Sequence, residues 1–281
     1  MVIEKKLTAN HWGIGVAHVS DGRILKVGPH PDDPNGSLIN DNIAGSLSGD
    51  ARVLRPAVRK SWLDGTPGAV PRGRDQYVEV DWDRALDLVA HEITRVREVH
   101  GNTGIFAGSY GWGSAGRFHH AQSQLKRFLN TLGGFVSSEG NYSYNAALVM
   151  MPYIVGPFRA HVAQATRWTV IAEHSDLVVM FGGMALRNTQ VSDGGVSKHR
   201  MADNLRACAD AGVRFVNISP LRSDALDSLN AKWMPANPGS DTALMLGLAH
   251  TLYTEQLHHP AFLDRYTTGF DRFLDYLTGE A

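Results

Sequence analysis

Apolar positions recur along this chain with two periods, and the alternation between them orders its elements. Residues 13–28 read as a hairpin: Val16-Ala17-His18-Val19 and Arg23-Ile24-Leu25-Lys26-Val27 flank Ser20-Asp21-Gly22. Asp-Gly supplies the positive φ that a tight turn needs. From there to about Gly49 the chain is rich in Pro, Asp, Asn and Gly, which predicts loop. Arg52–Lys60 is basic around Pro56, and Gly65–Gly73 is a second Gly/Pro-rich loop. Val78-Glu79-Val80 predicts a short strand. Asp81 then caps a helix whose Ala85, Leu88, Val89, Ile93 and Val96 share one face, closed by Gly101. Ile105-Phe106-Ala107-Gly108 predicts a short strand running into a glycine-rich loop. The next helix has Phe118, Leu125, Phe128 and Leu132 as expected core positions and ends at Gly133-Gly134. Ser143 opens a further helix, Ala146 to Met151, stopped by Pro152.

Beyond Trp168 strands and helices alternate. Leu177–Phe181 is a continuous apolar run ending in Gly182-Gly183, the pattern of a strand buried on both faces. Residues 196–211 predict a helix, 214–218 a strand and 241–254 another helix. That order predicts parallel pairing with right-handed crossovers.

With 281 residues, 43% hydrophobic and 20% charged, the composition is that of a globular protein of about two domains. A net charge of -1 offers no basic field, so no nucleic-acid partner is expected. The single cysteine, Cys208, excludes a disulfide within these residues and a cluster held by several of their thiolates; it reads as a small buried residue. No apolar run reaches the length of a membrane span. Met1–Lys6 shows no leader, so a cytoplasmic location is expected, or a periplasmic one if the start is a processed one.

Parallel sheets bind ligands beyond the carboxyl ends of their strands, and three such ends carry chemistry here. After Phe106 comes Gly108-Ser109-Tyr110-Gly111-Trp112-Gly113-Ser114-Ala115-Gly116. Four glycines there allow a backbone cradle for an anion, or simply a tight strand-to-helix turn. Tyr110 and Trp112 read either as placed aromatics or as a lid on the core edge. After Phe181 comes Gly182-Gly183-Met184-Ala185-Leu186-Arg187-Asn188-Thr189-Gln190, which suits phosphate or amide recognition or is a solvated loop. After Ile218 comes Ser219-Pro220-Leu221-Arg222, where Arg222 is a bidentate diphosphate clamp or a surface arginine. Ser143 on its own reads as a helix N-cap. His119 and His120 are adjacent, so they do not share a helix face and read as structural.

Taken together, these segments resemble one family. Gly108 through Gln124, with His11-Trp12-Gly13, Arg55-Pro56, Tyr142-Ser143, Ile218–Arg222 and Asp241–Gly247, is similar to the dimethyl-sulfoxide-reductase family of molybdopterin oxidoreductases, especially its biotin-sulfoxide and trimethylamine-N-oxide reductases. The resemblance runs from about Thr8 to Gly279. It implies an α/β chain: a small β-rich segment (1–60), an αβ region carrying the molybdenum-site loop and ligand (61–165), and a Rossmann-like parallel-sheet dinucleotide-binding region (166–281), truncated at the C-terminus. It implies molybdenum held by bis(molybdopterin guanine dinucleotide), with Ser143 as protein ligand and with Tyr110 and Trp112 as catalytic residues beside the transferring oxygen. Gly111, Trp112, Gly113, Ser114, Arg187, Asn188, Thr189, Gln190, Ser219, Pro220, Arg222 and Asp241 would bind the cofactor. The implied reaction is reduction of a biotin-sulfoxide, methionine-sulfoxide or trimethylamine-N-oxide type substrate by oxygen-atom transfer to Mo(IV), with an unspecified electron donor. The alternative is a non-catalytic fragment or split subunit that binds cofactor only beside a separately encoded C-terminal half.

Overall fold

The structure, a computed structural model, describes residues 2–108, 120–141, 143–191 and 195–280. It forms two compact units: Met1–Ala165 with Thr189–Arg200, and Thr166–Asn188 with Met201–Ala281.

The first unit opens with an antiparallel meander of β1 (Glu4–Asn10), β2 (Gly13–Ser20) and β3 (Arg23–Pro29). The expected hairpin is β2–β3: Ser20 faces Arg23, and Asp21 and Gly22 take φ of 51° and 74°. β1 was not foreseen. It is an edge strand whose charged Glu4, Lys5 and Lys6 suit an unpaired edge but mask its alternation. After α1 (Asn42–Ser48) come β4 (Ala57–Arg59), α2 (Lys60–Leu63) and β5 (Tyr77–Glu79), with β4 and β5 antiparallel.

α3 (Trp82–His100) begins as its cap dictates, with Asp81 Oδ1 accepting from the Arg84 N–H at 2.7 Å. Of its expected face, Ala85, Leu88, Ile93 and Val96 are half-buried and Val89 is 54% exposed, and no residue of the helix is fully buried. The strand expected at 105–108 is reduced to one bridge, Phe106 to Val136. In α4 (Ala121–Thr131) the buried residue is Leu129, not the expected Phe128, which is exposed. Phe118 lies outside the described residues. α5 (Asn145–Ile154) and α6 (Phe158–Ala163) follow. α5 passes Pro152 rather than stopping there; in the last turn a missing N–H costs one hydrogen bond and does not end the helix.

The second unit is built on three parallel strands, β6 (Leu177–Phe181), β7 (Arg214–Ile218) and β8 (Lys232–Met234), in that order. α7 (Trp168–His174) and α8 (Met201–Asp210) pack on the sheet. Met180, Leu205, Cys208, Val213, Phe215 and Leu229 form the core, with Trp168 and Ile171 against it. Cys208 is fully buried, its Sγ 3.7 Å from the Trp168 carbonyl, and burial pushes its thiol pKa up. Two expectations are corrected. β6 is an edge strand with Leu177 and Val179 exposed, so only one of its faces is covered. α8 starts at Met201 rather than at 196, because the backbone of His199 is drawn off to bond Asp33. α9 (Asp241–Thr254), α10 (Pro260–Tyr266) and α11 (Phe270–Thr278) complete the unit, α9 over its expected range.

Candidate cofactor site

In the second unit, β6 and β7 pair in parallel from Leu177–Arg214 to Phe181–Ile218. The segments that leave them, Gly182–Asn188 and Ser219–Asp224, therefore start side by side at the sheet edge where such folds take ligands. The Gly182 N–H continues the ladder to the Ile218 carbonyl at 2.9 Å. Gly182 and Gly183 then adopt φ of 83° and 77°. A Cβ at Gly183 would stand 2.4 Å from the Asp224 carbonyl oxygen, so the two loops approach this closely only over a glycine. The Met184 N–H closes that approach by donating to the same carbonyl at 2.7 Å.

Asp224 is the hub. Its buried carboxylate accepts from the Ser219 hydroxyl and from the Arg187 guanidinium. Those two bonds, Ser219 foremost and Arg187 next, hold its carboxyl below the ordinary carboxylate range. The Arg187 side chain is still 58% exposed, so the guanidinium is held from one side and open to solvent on the other. Ser219 is wholly buried. Besides donating to Asp224, its hydroxyl accepts from the Leu221 N–H at 3.3 Å, and its carbonyl accepts from Trp233 Nε1 at 2.9 Å. Ser219 thus builds the loop from inside, while Pro220, Arg222 and Asn188 are exposed on the same two segments. Asn217, 1% exposed, donates through Nδ2 to the Leu221 and Arg222 carbonyls at 3.4 Å, and its Oδ1 finds no partner among the described residues. Asp241 is exposed at the start of α9.

In the first unit, Ser143 is exposed just before α5. Asn141 is the residue that turns the chain there: its Oδ1 accepts from the N–H groups of Ser143 and Tyr144 at 2.9 and 2.8 Å. The helix proper begins at Asn145 with Tyr144 as its cap residue, which corrects the N-cap expectation for Ser143. Tyr144 stacks on Phe158 with ring centroids 4.9 Å apart. Thr189 and Gln190, both half-buried, also belong to this unit. The Gln190 carbonyl faces His199 Nε2 at 3.2 Å, and His199 Nδ1 pairs with Asp33 Oδ2 at 2.7 Å. Tyr110, Gly111, Trp112, Gly113 and Ser114 lie outside the described residues. Among the described residues no group of three His, Cys, Asp or Glu side chains is placed to hold a metal ion, and no helix is long and apolar enough to cross a membrane.

Asp224, Asp33 and Asn141 were missed by sequence reasoning. Asn141 was visible in principle, as an Asn two residues before a helix-opening Ser-Tyr. Asp33 works through a partner 166 residues away, and Asp224 joins Ser219, five residues before it, to Arg187, 37 residues before it, a link that no local pattern announces.

Two family models match in succession: the N-terminal domain of molybdopterin oxidoreductases over residues 8–47, and molybdopterin oxidoreductase over 52–262. The chain belongs to the molybdopterin oxidoreductase family. Relatives within it include the dimethyl sulfoxide/trimethylamine N-oxide reductase of Cereibacter sphaeroides, 40% identical over 96% of this chain and 33% of its own length. The trimethylamine-N-oxide reductase of Haemophilus influenzae is 40% identical over 98% of this chain and 33% of its own length. The biotin sulfoxide reductase of Cereibacter sphaeroides is 44% identical over 91% and 35%. The chain thus spans about a third of the length of these relatives.

Family membership implies a molybdenum–pterin cofactor, and the described residues fit an anionic, nucleotide-like group. A glycine-tightened loop pair at a parallel-sheet edge presents an open guanidinium at Arg187 and a second exposed arginine at Arg222. Ser143 offers an exposed oxygen donor of the hard type that suits a high-valent metal.

Proposed function

We propose that this chain supplies cofactor-binding and metal-ligating residues of a molybdenum-dependent oxidoreductase that reduces S-oxides or N-oxides, with bis(molybdopterin guanine dinucleotide) as the cofactor. The observation that carries the reading is the carboxylate-backed, solvent-open Arg187 at the end of the parallel sheet, in a chain whose relatives are named as S- and N-oxide reductases.

When bound, the molybdenum–pterin group supplies the two-electron chemistry that removes the substrate's oxygen. The chain's residues bind and orient. Arg187 and Arg222 take diphosphate charge through guanidinium N–H donors. Asn188, Thr189, Gln190, Asp241 and the backbone around Ser219 and Pro220 hold polar edges of the nucleoside. Gly111, Trp112, Gly113 and Ser114 would hold the pterin, and the Ser143 oxygen would bind the metal. Tyr110 would steady the transferred oxygen as a phenolic hydrogen-bond donor, and Trp112 would hydrogen-bond at or near the same oxygen.

A second reading is favoured by the uncovered helices: the chain holds cofactor only beside a C-terminal partner polypeptide. Val89 on α3, Tyr153 on α5, Leu252 on α9, Phe262 on α10 and Tyr276 on α11 are exposed. One experiment separates the readings. Molybdenum and guanine are counted per chain after expression in a host that makes the cofactor, with and without the C-terminal two-thirds of a relative. Near-stoichiometric metal in the chain alone supports the first reading, and metal only on co-expression supports the second. In whichever form loads, Ser143→Ala is expected to lose most of the metal with little change in unfolding midpoint. Full metal and full oxide reduction in that variant would refute the ligand assignment.

A further inference from the structure

Asp224 is not among the residues to which ligand contact is ascribed, yet the turns leaving β6 and β7 are both tied to it. Its carbonyl receives the Met184 N–H at 2.7 Å, which fixes the turn leaving β6. Its carboxylate receives the Ser219 hydroxyl, which fixes the turn leaving β7. Its other carboxylate oxygen receives Arg187 Nη2. Asp224 is buried and Arg187 is mostly exposed. An exposed arginine ordinarily samples many rotamers, and ordering a long side chain of this kind costs about 0.5–1.5 kcal/mol on binding. Here one Nη2 bond to a buried carboxylate holds the guanidinium before any ligand arrives, and four of its five N–H donors are left to other acceptors.

We infer that Asp224 is a positioning residue: it pre-orients Arg187 for an anionic phosphate group of the ligand and acts on affinity chiefly through that arginine. The inference rests on the proposed reading of this sheet edge as a nucleotide site. The same carboxylate carries a negative charge close to the phosphate, so it opposes the ligand electrostatically while favouring it by orientation. Orientation prevails if replacing Asp224 weakens binding, and electrostatics prevails if it strengthens binding.

The test is a double-mutant cycle on the 281-residue chain with guanosine 5′-diphosphate as probe, read by titration calorimetry. Unfolding midpoints are recorded for each variant. Asp224→Asn keeps the shape and removes the charge. It is expected to weaken binding about five- to tenfold, in line with the ordering cost above. Arg187→Gln should weaken binding at least as much. In the Arg187→Gln background, Asp224→Asn should change the dissociation constant by less than twofold, a coupling that a merely structural aspartate would not show. Effects that multiply across the cycle, unchanged binding in Asp224→Asn, or tighter binding in that variant overturn the inference while leaving a nucleotide site in place. Absence of any diphosphate binding by the wild-type chain overturns the site reading and this inference with it. If Asp224→Asn does not unfold cooperatively, the same cycle is run with Asp224→Glu. That change keeps the charge and shifts the carboxylate by one methylene, and its loss should again vanish in Arg187→Gln.

Discussion

The residues that organise this chain are polar groups taken out of water and paired. Asp33 and His199 are both buried, and the Asp33 carboxylate meets the His199 N–H at 3.0 Å and Nδ1 at 2.7 Å. The pair anchors the segment 195–200 to the loop after β3 inside the first unit. Removing the imidazole strips Asp33 Oδ2 of its partner, while the backbone N–H of residue 199 still holds Oδ1; leaving a buried charged group part-satisfied costs about 1–3 kcal/mol or more. His199→Ala is therefore expected to destabilise the first unit by about 3 kcal/mol. Denaturant unfolding together with hydrogen exchange at β2 amides checks this, and a midpoint equal to wild type would show that the pair is solvated. Such residues set the limit of what a sequence shows. Asp81 was legible as a cap because its partner, Arg84, lies three residues on. Asp33 was not, because its partner lies 166 residues away, and Asp224 was not, because the arginine it holds lies 37 residues away while its bond to the nearer Ser219 follows no regular cap or turn spacing. Arg187 was singled out as a ligand contact, but the carboxylate behind it could not be.

Secondary elements show a related division between period and cover. The hairpin at Asp21-Gly22, the strand 214–218 and the helix 241–254 were legible because each announces itself within its own 14 or so residues. Which face is buried was less legible, because that depends on what packs against it. α3 has the expected apolar stripe with no buried residue, and β6 has an apolar run with one face open. Hydrophobic stabilisation scales with area removed from water, so equal side chains on these elements should have unequal worth. Leu205, fully buried in the core of the second unit, should cost about 3 kcal/mol when cut to alanine. Val89→Ser on α3 should stay within about 0.5 kcal/mol, the range for exposed positions. Urea midpoints of the two variants make the comparison. A Val89→Ser loss approaching that of Leu205→Ala would mean that α3 is covered in solution.

At the scale of the whole molecule, these open faces bear on how the chain persists in water. In the first unit, Trp82, Leu86 and Val89 on α3 are exposed, with Tyr153 and Ile154 on α5. In the second unit, Leu248 and Leu252 on α9 and Phe273 and Tyr276 on α11 are exposed. Exposed apolar groups in such number mark surfaces that other polypeptide covers, or surfaces that associate. The relatives carry about twice this chain's length in further sequence, since the matched part is only 33–35% of each. Under the second reading proposed above, polypeptide of that kind is the cover. The 281-residue chain alone should therefore bind a fluorescent apolar dye such as anilinonaphthalene sulfonate and self-associate at micromolar concentration in sedimentation. Co-expression with the C-terminal two-thirds of the 44%-identical biotin sulfoxide reductase should yield a one-to-one complex in which the dye signal falls several-fold. Leu248→Glu places a charge on one of these faces, and it should weaken the complex while leaving the core of the second unit folded, because Leu248 contributes nothing to that core. A monomeric, dye-silent chain would mean that these faces are already satisfied. The helices without buried residues would then have to pack in solution against surfaces of this chain itself, and the cofactor count for the chain alone would become the deciding measurement of its function.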